Sequence, residues 1–137
     1  MRRHAQPMDY PEERAATLKR LRKLLDDVGS SKVTLIGDVM LDRFHHGYAN
    51  NLDSTAPVPV LKILRSEETP GAAAHIAMGL NSLGLQISLH CCVGDDREGR
   101  VIIEKLSEHG IDTSDIAVVS ERSTLTKIRF YGSRESL

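Results

Sequence analysis

The 137-residue chain carries 18 Lys and Arg against 19 Asp and Glu, a formal net charge of −1. That balance excludes the basic surface that nucleic acid or an anionic membrane requires, and the length is enough for one domain with a core. With 40% hydrophobic residues, no apolar run of membrane-spanning length and no apolar core of a secretory signal at the N-terminus, the composition predicts a water-soluble cytoplasmic protein.

Residues Pro11 to Val28 read as an amphipathic helix: Leu18, Leu21, Leu25 and Val28 recur at helical spacing, with Arg14, Lys19, Arg22 and Lys23 around the rest of the surface. Gly29 is expected to end it. This helix, within residues 1–31, is read as a packing helix ahead of the main unit, residues 32–137. Lys32 to Asp38 is a short apolar β-rich run of the kind buried in a parallel sheet. Phe44 to Tyr48 and Val58 to Leu64 read as two further short strands. The prolines of A-P-V-P at the second confine it to an edge or an excursion from the sheet.

A helix of small residues follows from Gly71 to Leu83, and Gly84 stands where a helix ends in the left-handed conformation. At its start, free backbone N–H groups and a glycine without Cβ would let a ligand approach the main chain. Gln86 to Val93 is a second buried strand. It holds adjacent Cys91 and Cys92, which point to opposite faces and so are read as reduced thiols. Asp95 and Asp96, in a G-D-D-R-E-G turn, precede and cap a helix from Glu98 to His109 that Gly110 stops. Ile116 to Val119 and Thr124 to Tyr131 complete the series as strands. Strands alternating with helices predict an α/β domain with a largely parallel sheet and right-handed crossovers.

In such folds ligands bind beyond the carboxyl ends of the strands. Asp38 and Asp42, in G-D-V-M-L-D, stand at that edge: carboxylates either cap turns there or accept hydrogen bonds from the neighbouring hydroxyls of a polyol. Gly71 and His75, four apart, share a helix face. Lys127 and Arg129, two apart, share a strand face, which is either simply solvated or able to meet a phosphate. His45 and His46 face opposite ways, and no histidine spacing suggests a metal site. The common phosphate-binding glycine loops G-x-x-x-x-G-K-[ST] and G-x-G-x-x-G are missing, as is a serine nucleophile elbow.

Six segments stand in a telling order. They are G-D-V-M-L-D at Gly37 to Asp42, A-P-V-P-V at Ala56 to Val60, P-G-A-A-A-H-I-A at Pro70 to Ala77, S-L-G at Ser82 to Gly84, V-G-D-D-R-E-G at Val93 to Gly99 and T-K-I-R at Thr126 to Arg129. Together they resemble the N-terminal half of a ribokinase-like (PfkB) carbohydrate kinase, and within that family the bacterial heptose 7-phosphate kinases. The resemblance implies a ribokinase-like, Rossmann-type three-layer α/β sandwich with a β lid, of which the C-terminal half is missing here.

It further implies transfer of the γ-phosphoryl of ATP, with Mg²⁺, to a sugar or sugar phosphate. Asp38, Asp42, Gly71, Ala72, His75, Lys127 and Arg129 would be on the substrate side. The strands around Phe44 to Tyr48 and Val58 to Leu64 would form the lid, often a dimer contact. The catalytic base and nucleotide site would lie beyond Leu137, so a complementing C-terminal half is an expected partner and the chain alone is expected to be inactive. Two departures from the family pattern stand out: Ala72 and His75 replace a glycine and an asparagine of G-G-A-A-N, and Asn51 to Thr55 replaces R-I-S-P-E in the lid. A non-catalytic module of the same fold, binding a sugar phosphate or a partner subunit, is the alternative.

Overall fold

The computed structural model describes residues 11–28 and 31–133. In chain order the elements are α1 (Pro11–Val28), β1 (Lys32–Ile36), β2 (Val39–Leu52), β3 (Pro59–Ala72), α2 (Ala73–Ser82), β4 (Gln86–Gly94), α3 (Arg97–Glu108), β5 (Ile116–Val119) and β6 (Thr126–Ser133). They form two three-stranded sheets, β1-β4-β5 and β3-β2-β6.

The first sheet is wholly parallel, as its short apolar runs predict. Alternation places Val33 and Leu35 of β1 with Ile87, Leu89 and Val93 of β4 on one face, where they pack with Ala74 and Ala77 of α2 and Ile102 and Leu106 of α3. Alanines on α2 allow a close approach to the sheet, and Ala74, Ala77, Leu89, Ile102 and Leu106 are fully buried. The ends of α2 and α3 follow their sequences, with Gly110 after α3 at φ +72°. Gly84 adopts φ +90° after α2, and the Asp96 carboxylate caps α3 by accepting from the Gly99 N–H at 2.8 Å. Asp95 instead pairs with Arg100 at 3.2 Å. Cys91 and Cys92 are both free thiols, and burial pushes Cys91 up to about 11.

The second sheet departs from expectation in two ways. Its excursion strands are long, 14 residues each in β2 and β3, and run antiparallel. The late strand β6 does not extend the first sheet but pairs parallel with β2, from Leu41↔Thr126 to Tyr48↔Ser133. β6 carries Lys127 and Arg129 on one face, and its pairing with β2 sets them opposite Asp42 and Phe44. Beside β2 they meet a carboxylate. His45 and His46 face opposite ways, stacking on Phe130 and Tyr131 of β6 at 5.1 and 5.0 Å.

The expectation that α1 packs on the domain is not met. Every side chain from Glu13 to Asp27 is exposed, and its leucine stripe remains half-exposed, with Leu21 at 50% and Leu18 at 57%. Gly29, expected to end this helix, lies outside the described residues. Among the described residues no helix is long and apolar enough to cross a membrane.

The helix expected from Gly71 starts two residues later. Gly71 and Ala72 instead close the β2–β3 ladder opposite Met40 and Val39. Ala72 then turns the chain into α2 with φ +53° and ψ −128°, and is the one non-glycine with positive φ among the described residues. An L-residue there is strained by about 1–3 kcal/mol, which a glycine avoids at a smaller entropic cost. Ala72→Gly is therefore expected to raise unfolding free energy by about 1 kcal/mol in urea titration. Unchanged or lower stability would show that the turn carries no such strain.

Candidate functional site

A cleft of about 570 Å³ lies where the second sheet meets the start of α2. Its walls come from β2 (Asp42, Phe44), β3 (Thr69, Pro70, Gly71, Ala72), α2 (His75, Ile76) and β6 (Arg129, Tyr131). Strand alternation makes this set: Asp42 and Phe44 are two apart on β2 and stand opposite Lys127 and Arg129 on β6, so the four share one face. A slightly larger cleft of about 600 Å³, lined by Lys32, Asn81, Gln86, Ser88 and Asp112, sits at the amino ends of β1 and β4. That is the wrong end of a parallel sheet for ligand binding.

Asp42 is the electrostatic centre. Its Oδ1 accepts from Arg129 NH1 at 2.7 Å and lies 3.1 Å from Lys127 Nζ, with the Asp42 side chain 14% exposed. Burial pushes the Asp42 carboxyl up, but the hydrogen bonds and charges of Lys127 and Arg129 outweigh it and hold the group below the usual carboxylate range. The Arg129 guanidinium also lies 5.1 Å over the Phe44 ring, which fixes its plane. Two cations against one carboxylate leave an excess positive charge at the cleft, and guanidinium and ammonium groups both suit a phosphate.

The structure therefore brings Asp42, Gly71, Ala72, His75 and Arg129 to one cleft, with Lys127 joined to it through Asp42. Asp38 is not on the cleft wall. It is exposed on the turn between β1 and β2, and its backbone carbonyl accepts from the Ala73 N–H at 3.1 Å. That bond also takes up the first N–H of α2, which the sequence suggested was free for a ligand. Gly71 needs its missing Cβ for another reason than ligand approach, because a methyl there would collide with the Asp42 carboxylate and touch the Met40 Cγ. His75 is exposed on the cleft wall.

Sequence reasoning missed Phe44, Thr69, Pro70, Ile76 and Tyr131 as cleft residues. The signal for Phe44 and Tyr131 was the same period-two alternation that pairs Lys127 with Arg129. Thr69 and Pro70 required knowing that β3 runs on to Ala72.

Because Asp42 has a lowered folded pKa, its ion pairs stabilise the protein above the ordinary aspartate pKa, and this contribution is lost as pH falls through the folded value. Asp42→Asn is expected to cost about 1 kcal/mol at pH 7, discounted for the partial exposure of its partners, and less at about pH 3, below the ordinary aspartate value. Urea unfolding of both proteins at the two pH values checks it; a gap independent of pH would contradict the ion-pair account.

The family pattern of the pfkB family carbohydrate kinases matches residues 30–136. The bifunctional protein HldE of Actinobacillus pleuropneumoniae is 39% identical over 108 residues, which are 79% of this chain and 22% of that protein. The fold is shared with ribokinase from Cryptococcus neoformans in complex with ADP (TM-score 0.54, 23% identity, 72% of this chain and 30% of that one). It is also shared with the uncharacterized sugar kinase PH1459 of Pyrococcus horikoshii in complex with ATP (TM-score 0.52, 25% identity, 74% and 30%). The chain thus covers part of a ribokinase-like fold and spans about a fifth of the length of the curated relative. With that pattern covering most of its length and that fold beneath its cleft, this chain belongs to the pfkB family of carbohydrate kinases.

Proposed function

We propose that this chain is the sugar-binding and lid portion of a heptose 7-phosphate kinase, which transfers the γ-phosphoryl of ATP to a sugar hydroxyl in the cytoplasm. The observation that carries the reading is the Lys127–Asp42–Arg129 cluster at the mouth of a cleft in a pfkB-family chain, and the heptose assignment rests on the motif order and the likeness to HldE. A sugar lying in the cleft would place its phosphate against Lys127 and Arg129, where it competes with Asp42 for the two cations. Asp42, once released, is the acceptor for sugar hydroxyls within the cleft, and the family resemblance adds Asp38, exposed beside the start of α2 but off the cleft wall. His75, standing where the family has asparagine, offers one donor and one acceptor from the same wall, and Ala72 narrows the approach beside it.

Phosphoryl transfer also needs a base for the attacking hydroxyl and a site for nucleotide and Mg²⁺. Neither role is assigned to Asp42, which in this reading serves first as the counter-ion of Lys127 and Arg129 and then as an acceptor for the sugar hydroxyls. Among the described residues no group of three His, Cys, Asp or Glu side chains is placed to hold a metal ion. These parts are assigned to the remainder of the kinase fold, in the same or a complementing polypeptide. The lid strands β2 and β3 are the surface offered to a second copy.

Two outcomes follow. In calorimetry, Arg129→Ala should weaken binding of heptose 7-phosphate by about 1.5–3 kcal/mol, the scale of a charged hydrogen bond, and leave unphosphorylated heptose nearly unaffected. Equal losses for the two sugars would remove Arg129 from phosphate recognition. The 137-residue chain incubated with ATP and heptose 7-phosphate should release no ADP. Sugar-dependent release that disappears in Asp38→Ala would refute the division of labour.

A further inference from the structure

Each strand that carries a cleft residue is fastened to the start of α3, β2 and β3 through their opposite faces and β6 through the segment just ahead of it. On β2, Arg43 follows Asp42 and points the other way; its Nε donates to Glu68 Oε1 at 2.7 Å and its NH2 to Glu98 Oε1 at 2.8 Å. On β3, Glu68 precedes Thr69 and receives both guanidinium nitrogens of Arg97, at 3.0 Å each. Ahead of β6, the Thr124 N–H and hydroxyl both donate to the Asp96 carboxylate at 2.7 Å, while the Thr124 hydroxyl accepts from the Gly94 N–H at 2.8 Å. Asp96, Arg97 and Glu98 are consecutive, so one helical turn holds three strands. The network is half-sheltered, with side-chain exposures of 19% for Arg43, 20% for Glu68 and 26% for Glu98. Its two arginines and two glutamates balance in charge.

None of these groups reaches the cleft. Their contact with it is mechanical: in a pleated strand, displacing Arg43 or Glu68 displaces the neighbours that face the other way. We infer that Arg97 and Glu98, acting through Glu68 and Arg43, are positioning residues that set the spacing of Asp42 from Lys127 and Arg129, and hence the phosphate-recognition geometry of the cleft. The inference deepens the proposed function, since the sugar phosphate is the ligand whose site it positions, but the placement of Asp42 can be read without any ligand.

The experiment exploits opposite charge signs. Asp42 titration is followed by carboxyl carbon NMR in the wild-type chain, in Arg97→Ala and in Glu68→Gln. A field acting only through space predicts that losing the Arg97 cation raises the Asp42 pKa and losing the Glu68 anion lowers it. Positioning predicts that both variants raise it, because either one loosens the Asp42–Arg129 and Asp42–Lys127 contacts. Shifts of opposite sign, or none, overturn the inference. A second measurement uses heptose 7-phosphate by calorimetry, where affinity should fall about tenfold in both single variants with kinetics of unfolding little changed. If Asp42 titrates as positioning predicts but wild-type chain binds no heptose 7-phosphate, the proposed substrate fails and the positioning role stands.

Discussion

The strand β2 sits between β3 and β6, and the alternation of its side chains is the constraint on which the rest of the site depends. Leu41 is fully buried, Asp42 faces the cleft and takes two cations, Arg43 turns back to bind α3, and Phe44 supports Arg129 from the cleft side. A register slip of one residue would exchange these roles completely, pointing Arg43 into the cleft and Asp42 at the two glutamates. Register is therefore enforced from both faces by charge: like charges would meet if the strand slipped. The same alternation explains why Gly71 must lack a side chain, since the Asp42 carboxylate occupies the space that a methyl would need.

Much of the first sheet was legible in the sequence. The runs at Lys32–Ile36, Gln86–Gly94 and Ile116–Val119 announce parallel strands, but the burial expected of them holds mainly for β4: β1 has no buried residue and ends on Ile36 at 78% exposure. The Pro11–Val28 helix has the bounds its periodicity indicates, and Asp96 caps α3 as a short acceptor before a helix should. The second sheet was harder. Its strands are half-exposed and mixed in composition, so H-H-G-Y-A-N-N and R-S-E-E-T-P give no clean alternation, and the pattern marks half or less of the length of each strand. The position of β6 depends on a contact between Asp42 and Arg129 that lies 87 residues away in sequence, which local pattern does not encode. The fastening of Glu68 to Arg97 is of the same kind, since neither residue has a neighbour in sequence that points to the other.

The site shows a similar division. Spacing was enough to place Lys127 with Arg129 on one strand face, whereas Gly71 and His75 line the cleft from β3 and α2 and not from the single helix face expected of them. Spacing was not enough to tell Asp38 from Asp42. Both lie in one short motif, but the chain turns between them: Asp38 stays exposed and gives its carbonyl to α2, while Asp42 has already entered β2. Ala72 illustrates what a residue-by-residue family comparison adds. The loss of a glycine was visible as a departure from G-G-A-A-N, but only the backbone shows that this position has φ +53°, where glycine is favoured for conformational reasons as well as for space.

These observations bear on how a sugar phosphate would be admitted. In the unliganded cleft Asp42 already fills the place of an anion between Lys127 and Arg129, so the cations are neither solvated freely nor left repelling each other. A monoanionic competitor gains little by replacing a carboxylate that is tethered and partly desolvated. A phosphate near its second ionisation carries more charge and more acceptor oxygens, and can engage the ammonium and the guanidinium together. On the proposed function, the exchange would free a carboxylate within the same cleft, next to the hydroxyls of the ligand. A preference for a phosphorylated polyol over either a bare sugar or a simple anion would then arise from one arrangement, in which the phosphate releases the group proposed to bind the hydroxyls.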